Sequence, residues 1–148
     1  KLVWGEVHDD NAWVMGGVAP HAGIFSTAQD LHLFAKEMLM VSEGKSTFVK
    51  KEVFQEFTSR SNLVSGSSWG LGWDTPSDVG SSAGKYFSKN SIGHLGFTGC
   101  SMWIDLEKKV DVILLSNRVN ISTENQVIKS FRPQIHDLVM EALGFADK

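Results

Sequence analysis

Cysteine is nearly absent: Cys100 is the only one in 148 residues, so no disulfide can close within the chain. A single thiol does not assign a redox compartment. Long apolar runs are missing too. No stretch approaches the eighteen residues of a membrane-spanning helix, and no signal-peptide pattern is present. Positive charge is not in excess. Lys and Arg total 14 against 17 Asp and Glu, a net charge of −3, so nothing in the composition calls for nucleic acid. What is present is ordinary: 42% hydrophobic and 21% charged residues, in a length suited to one domain with its own core. No internal repeat and no second domain is visible. The chain starts at Lys1 without a methionine and moves at once into a dense aromatic stretch. That opening reads as the interior of a longer protein, or the mature end of a processed one.

Residues 1–25 are rich in glycine and aromatics without a clear period. Trp4, Trp13, Val14, Met15 and Phe25 call for burial, so a structured loop is expected rather than a linker. Leu31, Phe34, Ala35, Met38 and Leu39 then keep helical phase. Ser26 or Thr27 can cap that helix with Gln29 or Asp30 as partner, and Gly44 lies just past its end. Residues 50–58 suit a short second helix, and 59–68 a polar loop. Residues 69–76, "WGLGWDTP", read as a short strand ended by Pro76. Residues 77–90 are Gly/Ser-rich and expected to be mobile. Strands are expected over about 92–98, 100–105 and 110–117, with Asp105 to Lys109 as a hairpin turn. "VDVILLSN" is apolar on nearly both faces, which suits a central strand covered on each side. The last helix is expected over about 123–143, with Ile128, Phe131, Ile135, Leu138, Val139 and Leu143 in phase. Pro133 should kink or restart it.

Residues 91–105, "SIGHLGFTGCSMWID", hold the most informative pattern. Gly93, Gly96 and Gly99 punctuate a strand that carries His94. Glycine is tolerated in a strand where another backbone or a ligand must come close. In an extended chain His94, Gly96 and Thr98 share one face, and Leu95 and Phe97 the other. A substrate could lie along that polar face and bond to the exposed backbone edge. The pattern by itself favours a satisfied surface or core histidine on an edge strand over that reading. Ser91 and His94, three apart, point to opposite faces and do not form a nucleophile–base pair. Ser42-Glu43-Gly44-Lys45 has the Ser-x-x-Lys spacing of serine acyl enzymes, but it sits at a helix end and holds a glycine, so it reads as a decoy. His8, Asp9, Asp10, His21 and His32 lack the compact helical spacing of a zinc motif, and no metal or other cofactor is expected. Asp9, Asp10 and Asn11 are common turn formers. Cys100 reads as a small buried hydrophobe.

Read together, "GEVHDDNA", "GGVAPHAGIFSTAQDLHLFAKEML", "GLGWD", "GHLGFTGCSMWIDLEKKVDVILLSNRV" and Arg132-Pro133-Gln134-Ile135-His136-Asp137 resemble, in order and separation, the C-terminal half of one family. This is the family of serine hydrolases related to class C β-lactamases and penicillin-binding proteins, which includes D-Ala-D-Ala carboxypeptidases and esterases. The resemblance implies an α+β fold, an antiparallel β-sheet packed by helices, of which residues 1–148 supply only the C-terminal portion of a single domain. The family uses a Ser-x-x-Lys, a Tyr-x-Asn, and a Lys-Thr-Gly or His-x-Gly strand. The third motif matches His94, Leu95 and Gly96. The resemblance implies that His94 faces the acyl group or substrate carboxylate. It implies that the N–H of Phe97 is half of an oxyanion hole, and that Leu95, Gly96 and Thr98 bind substrate.

Departures are present. Tyr86 is followed by Phe87 and Ser88, so no Tyr-x-Asn exists, and no credible Ser-x-x-Lys does either. Both belong to the part that would precede Lys1. Leu95 replaces a hydroxyl residue common in the middle of the third motif. Pro20 and Ile121 replace a glycine and a proline, with an effect expected on loop shape only. The expectation is therefore part of a serine acyl hydrolase acting on an ester, a D-alanyl peptide or a β-lactam, inactive as residues 1–148 alone. Its partner would be the missing N-terminal part of the same protein, or a second copy. The alternative is a non-catalytic module with the same shape that holds a peptide or peptidoglycan-like ligand. The family is often extracytoplasmic, and the resemblance favours that location.

Overall fold

The computed structural model describes residues 3–61, 63–120 and 122–146. Its elements run α1 (Asp10–Val14), α2 (Ala28–Ser42), α3 (Lys51–Thr58), β1 (Ser91–Leu95), β2 (Ser101–Asp105), β3 (Val110–Leu114) and α4 (Ile128–Ala142). The three strands form one antiparallel sheet in the order β1-β2-β3, so the expected α+β architecture is present. His94 pairs with Met102, and Met102 with Ile113, across the sheet.

Each face of the sheet has its own core. On one face, Ile92 and Ile104 pack with Ala35, Met38 and Val41 of α2 and Phe54 of α3. On the other, Trp103 and Val112 pack with Met140 of α4 and with Ala83 and Phe87 from the preceding loop. The alternation of a half-buried strand explains the split: Ile92 and His94 point to the α2 side, Gly93 and Leu95 to the α4 side.

α2 starts where the capping pattern predicts. The Thr27 hydroxyl accepts from the Asp30 N–H at 3.1 Å and donates to the Asp30 carboxylate at 2.9 Å. The β2–β3 turn is organised by buried Asp105. Its carboxylate accepts from the N–H groups of Glu107 and Lys108, and from the N–H and hydroxyl of Ser88. Lys109 closes that turn in the left-handed region, at φ 59°.

Several expectations fail for identifiable reasons. Residues 69–76 form no strand; only isolated bridges join Trp69 to Asp74 and Asp74 to Gly93. Residues 77–90 are packed in part: Ala83 and Phe87 fill the core beneath α4, while Asp78 to Gly80 are exposed. β3 is covered on both faces as predicted, but β2 is the middle strand of the described sheet and β3 lies at its end. α4 starts at Ile128 and runs through Pro133 as one element, without the backbone hydrogen bond that a proline nitrogen cannot donate. Its buried face is Ile128, Arg132, His136 and Met140, while Phe131, Leu138 and Leu143 are exposed. Residues 10–14 form a short helix, capped by the Asp9 carboxylate on the Ala12 N–H at 2.8 Å. Trp4, Trp13, Val14, Met15 and Phe25 are exposed, Trp4 at 92%. No described element lies over them. Ile121 lies outside the described residues.

Candidate functional site

β1 is an edge strand of the described sheet, and among the described residues its outer side is bonded at Gly93 alone. The Gly93 N–H and C=O bond with the backbone of Asp74 at 2.9 and 2.8 Å. Inward bonding resumes at Gly96, whose N–H donates to the Cys100 carbonyl at 2.8 Å. Backbone polar groups alternate sides along an antiparallel strand. Those of Leu95 therefore face outward beyond Asp74, and among the described residues nothing bonds to them. The result is a short open edge beginning at the end of the His94 strand.

The strand ends sooner than its pattern suggests. β1 stops at Leu95, and Gly96 to Gly99 form a β-turn in which the Gly99 N–H donates to the Gly96 carbonyl at 3.0 Å. Phe97 and Thr98 therefore occupy the central turn positions and do not alternate as strand residues would. His94 is exposed on the α2 side, edge-on to the Trp69 ring at a centroid distance of 5.4 Å. Phe97 is 63% exposed, stacked on His8 at 5.8 Å, with the Arg118 guanidinium 4.4 Å over its ring. The Phe97 N–H makes no hydrogen bond to any described residue. The Thr98 hydroxyl lies 3.9 Å from the Cys100 thiol, and the Thr98 carbonyl accepts the Arg118 N–H at 2.7 Å.

The three glycines answer to three different neighbours. A methyl group on Gly93 would meet the Trp103 ring at 2.4 Å. On Gly96 it would meet Cβ of Cys100 at 3.3 Å, a tight cross-strand contact. On Gly99, at φ +117°, it would meet the Ser116 hydroxyl at 2.4 Å. Close approach by the protein itself thus accounts for Gly93 and Gly99. Only Gly96 borders the open edge.

Two arginines hold the turn, and apolar periodicity gave no sign of either. Arg132 of α4 is buried, and its guanidinium donates to the carbonyls of Gly96, Cys100 and Gly99 at 2.6, 2.8 and 3.3 Å. Burial pulls its pKa below the usual arginine value, with Arg118 acting in the same direction. Arg118 donates through Nε to the Phe97 carbonyl at 2.7 Å and through Nη1 to the carbonyls of Thr123 and Asn125. Both arginines line a cavity of about 310 Å³ with Leu95, Gly96, Phe97 and Lys129. A larger cavity of about 840 Å³ lies at the other end of β1, among α3, Arg60, Asp78 and Lys89. None of His94 to Thr98 borders it.

The remaining candidates have structural partners. Ser42 ends α2 and donates to the Leu39 carbonyl at 2.7 Å, while Lys45 pairs with Glu43 instead. His21 bonds Asp9 at 2.9 Å and His32 bonds Asp111 at 2.9 Å. Among the described residues no three His, Cys, Asp or Glu side chains converge as a metal set. Cys100 donates to the Ser116 carbonyl at 3.3 Å. Ser91 is buried, on the opposite side of β1 from His94.

Comparison with known proteins gives a consistent picture. The family model described as "Beta-lactamase" matches residues 2–131. A protein of Salmonella gallinarum named "Putative D-alanyl-D-alanine carboxypeptidase" is 33% identical over 129 residues, covering 84% of this chain and 29% of its own length. Proteins of the same name from Salmonella typhi and Salmonella paratyphi B are each 32% identical with the same coverage. The chain thus spans about 29% of the length of these curated relatives. No solved structure gave a significant match.

Proposed function

This chain belongs to the Beta-lactamase family, and we propose that residues 1–148 are the C-terminal portion of a serine acyl hydrolase domain. Its nucleophile lies in polypeptide outside these residues. In this reading the outer edge of β1 is one wall of the acyl site. A serine hydroxyl attacks the substrate carbonyl carbon and its proton passes to a base on the other portion. The carbonyl oxygen becomes an oxyanion and takes the Phe97 N–H as one of its donors. Collapse expels the leaving group, and water then releases the acyl group from the serine. His94 faces the acyl group or a substrate carboxylate, and Leu95, Gly96 and Thr98 line the cleft. Substrates are esters, D-alanyl peptides or β-lactams. The carboxypeptidase name of the Salmonella relatives favours a D-alanyl peptide.

One observation carries this reading. The Phe97 N–H lies just past the end of an open strand edge, beside an exposed histidine, and no described group accepts it. An unengaged donor held by a rigid turn suits a charge that forms only during reaction. The test is to replace the Phe97 amide with an ester in the gene product that contains this chain, which removes the N–H and keeps the side chain. Acylation by a chromogenic D-alanyl ester should slow by about 100- to 1,000-fold. An unchanged rate would remove the oxyanion role. A gene product that binds D-alanyl peptides, yet is acylated by no ester or β-lactam, would be the binding module instead.

A further inference from the structure

Arg132 is an expensive side chain to bury. It is 7% exposed, and among the described residues no carboxylate pairs with it. All of its hydrogen bonds go to three backbone carbonyls of one turn. A buried guanidinium without a counter-ion needs each donor satisfied to offset its desolvation. A leucine or methionine would fill the same place on an α4 face that also holds Ile128 and Met140. The observation to explain is why a charge stands there, and why it reaches for these carbonyls.

The answer lies in one peptide group. The Gly96 carbonyl, which takes Arg132 Nη2 at 2.6 Å, belongs to the same planar unit as the Phe97 N–H. In a trans peptide the C=O and N–H point to opposite sides. Fixing the carbonyl on Arg132 therefore turns the Phe97 N–H away from α4, onto the open side of the turn. A cationic donor on the carbonyl also polarises the peptide, which strengthens its N–H as a donor. The next peptide is held in the same way, since Arg118 Nε donates to the Phe97 carbonyl at 2.7 Å. Arg118 is itself anchored on Thr123 and Asn125. The two carbonyls that flank the Phe97 N–H along the chain are thus each fixed by a guanidinium.

We propose that Arg132, assisted by Arg118, is a positioning residue that aims and polarises the Phe97 N–H for an oxyanion; this rests on the oxyanion role proposed above for that N–H. Neither arginine touches the reacting atoms. Their effect travels through the Gly96–Phe97 and Phe97–Thr98 peptides.

The experiment uses the gene product that contains this chain, a chromogenic D-alanyl ester as substrate, and the variants Arg132→Gln, Arg132→Lys and Arg118→Gln. The Phe97 amide-to-ester protein is the reference. Arg132→Gln should lower kcat about 10- to 100-fold with KM within about twofold, because aim is lost and ground-state binding is not. Arg132→Lys, which keeps the charge but not the fork, should recover part of that loss. Arg118→Gln, at a half-buried site, should lower kcat by about three- to tenfold. In 15N-phenylalanine-labelled protein the Phe97 amide resonance should move in all three variants. A folded Arg132→Gln protein with wild-type kcat, beside a slow Phe97 ester, would overturn the proposal and leave the oxyanion role standing. A Phe97 ester as fast as wild type would overturn both. If Arg132→Gln does not fold, wild-type kcat in both Arg132→Lys and Arg118→Gln overturns the positioning role.

Discussion

Gly93 has no room for a methyl group: its Cβ would lie 2.4 Å from the Trp103 ring and 2.8 Å from the Met102 carbonyl. Gly93→Ala should therefore destabilise the fold by about 1–3 kcal/mol or more through overpacking, measurable by urea denaturation. His136 offers a second residue-scale test. It is fully buried, with Nδ1 on the Ser82 carbonyl at 2.8 Å and Nε2 on the Ser101 hydroxyl at 3.1 Å. Burial, the largest influence, holds its pKa below the ordinary 6.5. A folded value lower than the unfolded one means that the unfolded chain takes up the proton first. Stability from this residue is complete above about pH 6.5 and is lost as pH falls from there through the depressed folded value, at up to about 1.4 kcal/mol per pH unit. Tm measured between pH 7.5 and 5 should fall less in His136→Gln than in wild type. The sequence made His94 and Gly96 conspicuous, because a histidine and glycines are unusual in a strand. Arg132 and His136 entered only as part of a resembling segment; their burial was not foreseen, because polar residues on a helix are assigned to solvent unless their neighbours are known.

At the scale of elements, most helix and strand identities were legible, apart from α1 and the expected strand over 69–76, and their ends were not. α2 follows from period and capping, and α3 and the three strands lie close to the expected segments. β1 stopped early because Gly96 to Gly99 close a turn, and glycine patterns do not distinguish a turn from an interrupted strand. The stripe in α4 was misassigned by phase alone. Ile128, Arg132, His136 and Met140 lie four apart and face the sheet, whereas the apolar set chosen from the sequence includes Phe131 and Leu138, both exposed. The N-cap of α2 is an element-scale contribution: Thr27→Ala should cost about 1 kcal/mol, read from the urea midpoint. The Asp105 carboxylate, with four donors on it, joins the β2–β3 turn to the loop beneath α4. Asp105→Ala should cost about 3 kcal/mol or more by leaving those donors buried and unpaired.

For the molecule as a whole, the misplaced burial is itself informative. The exposed aromatics Trp4, Trp13 and Phe25, the Phe131–Leu138–Leu143 side of α4, and the outer edge of β3 all lack a cover among the described residues. "VDVILLSN" read as a central strand, and it would be one if a further strand paired with β3. The chain spans about 29% of its Salmonella relatives, so there is ample polypeptide in such proteins to cover these surfaces. Expressed alone, residues 1–148 should therefore self-associate on gel filtration and bind a hydrophobic dye. Co-expression with the rest of the gene product should abolish both. The central claim is that the open edge after His94 lines an acyl site served by a serine from elsewhere. Its most direct test is to incubate the gene product with an activated D-alanyl ester and map the acyl adduct by peptide mass. The account predicts one adduct, on a serine outside residues 1–148; an adduct on a serine within them, or no adduct at all, would contradict it.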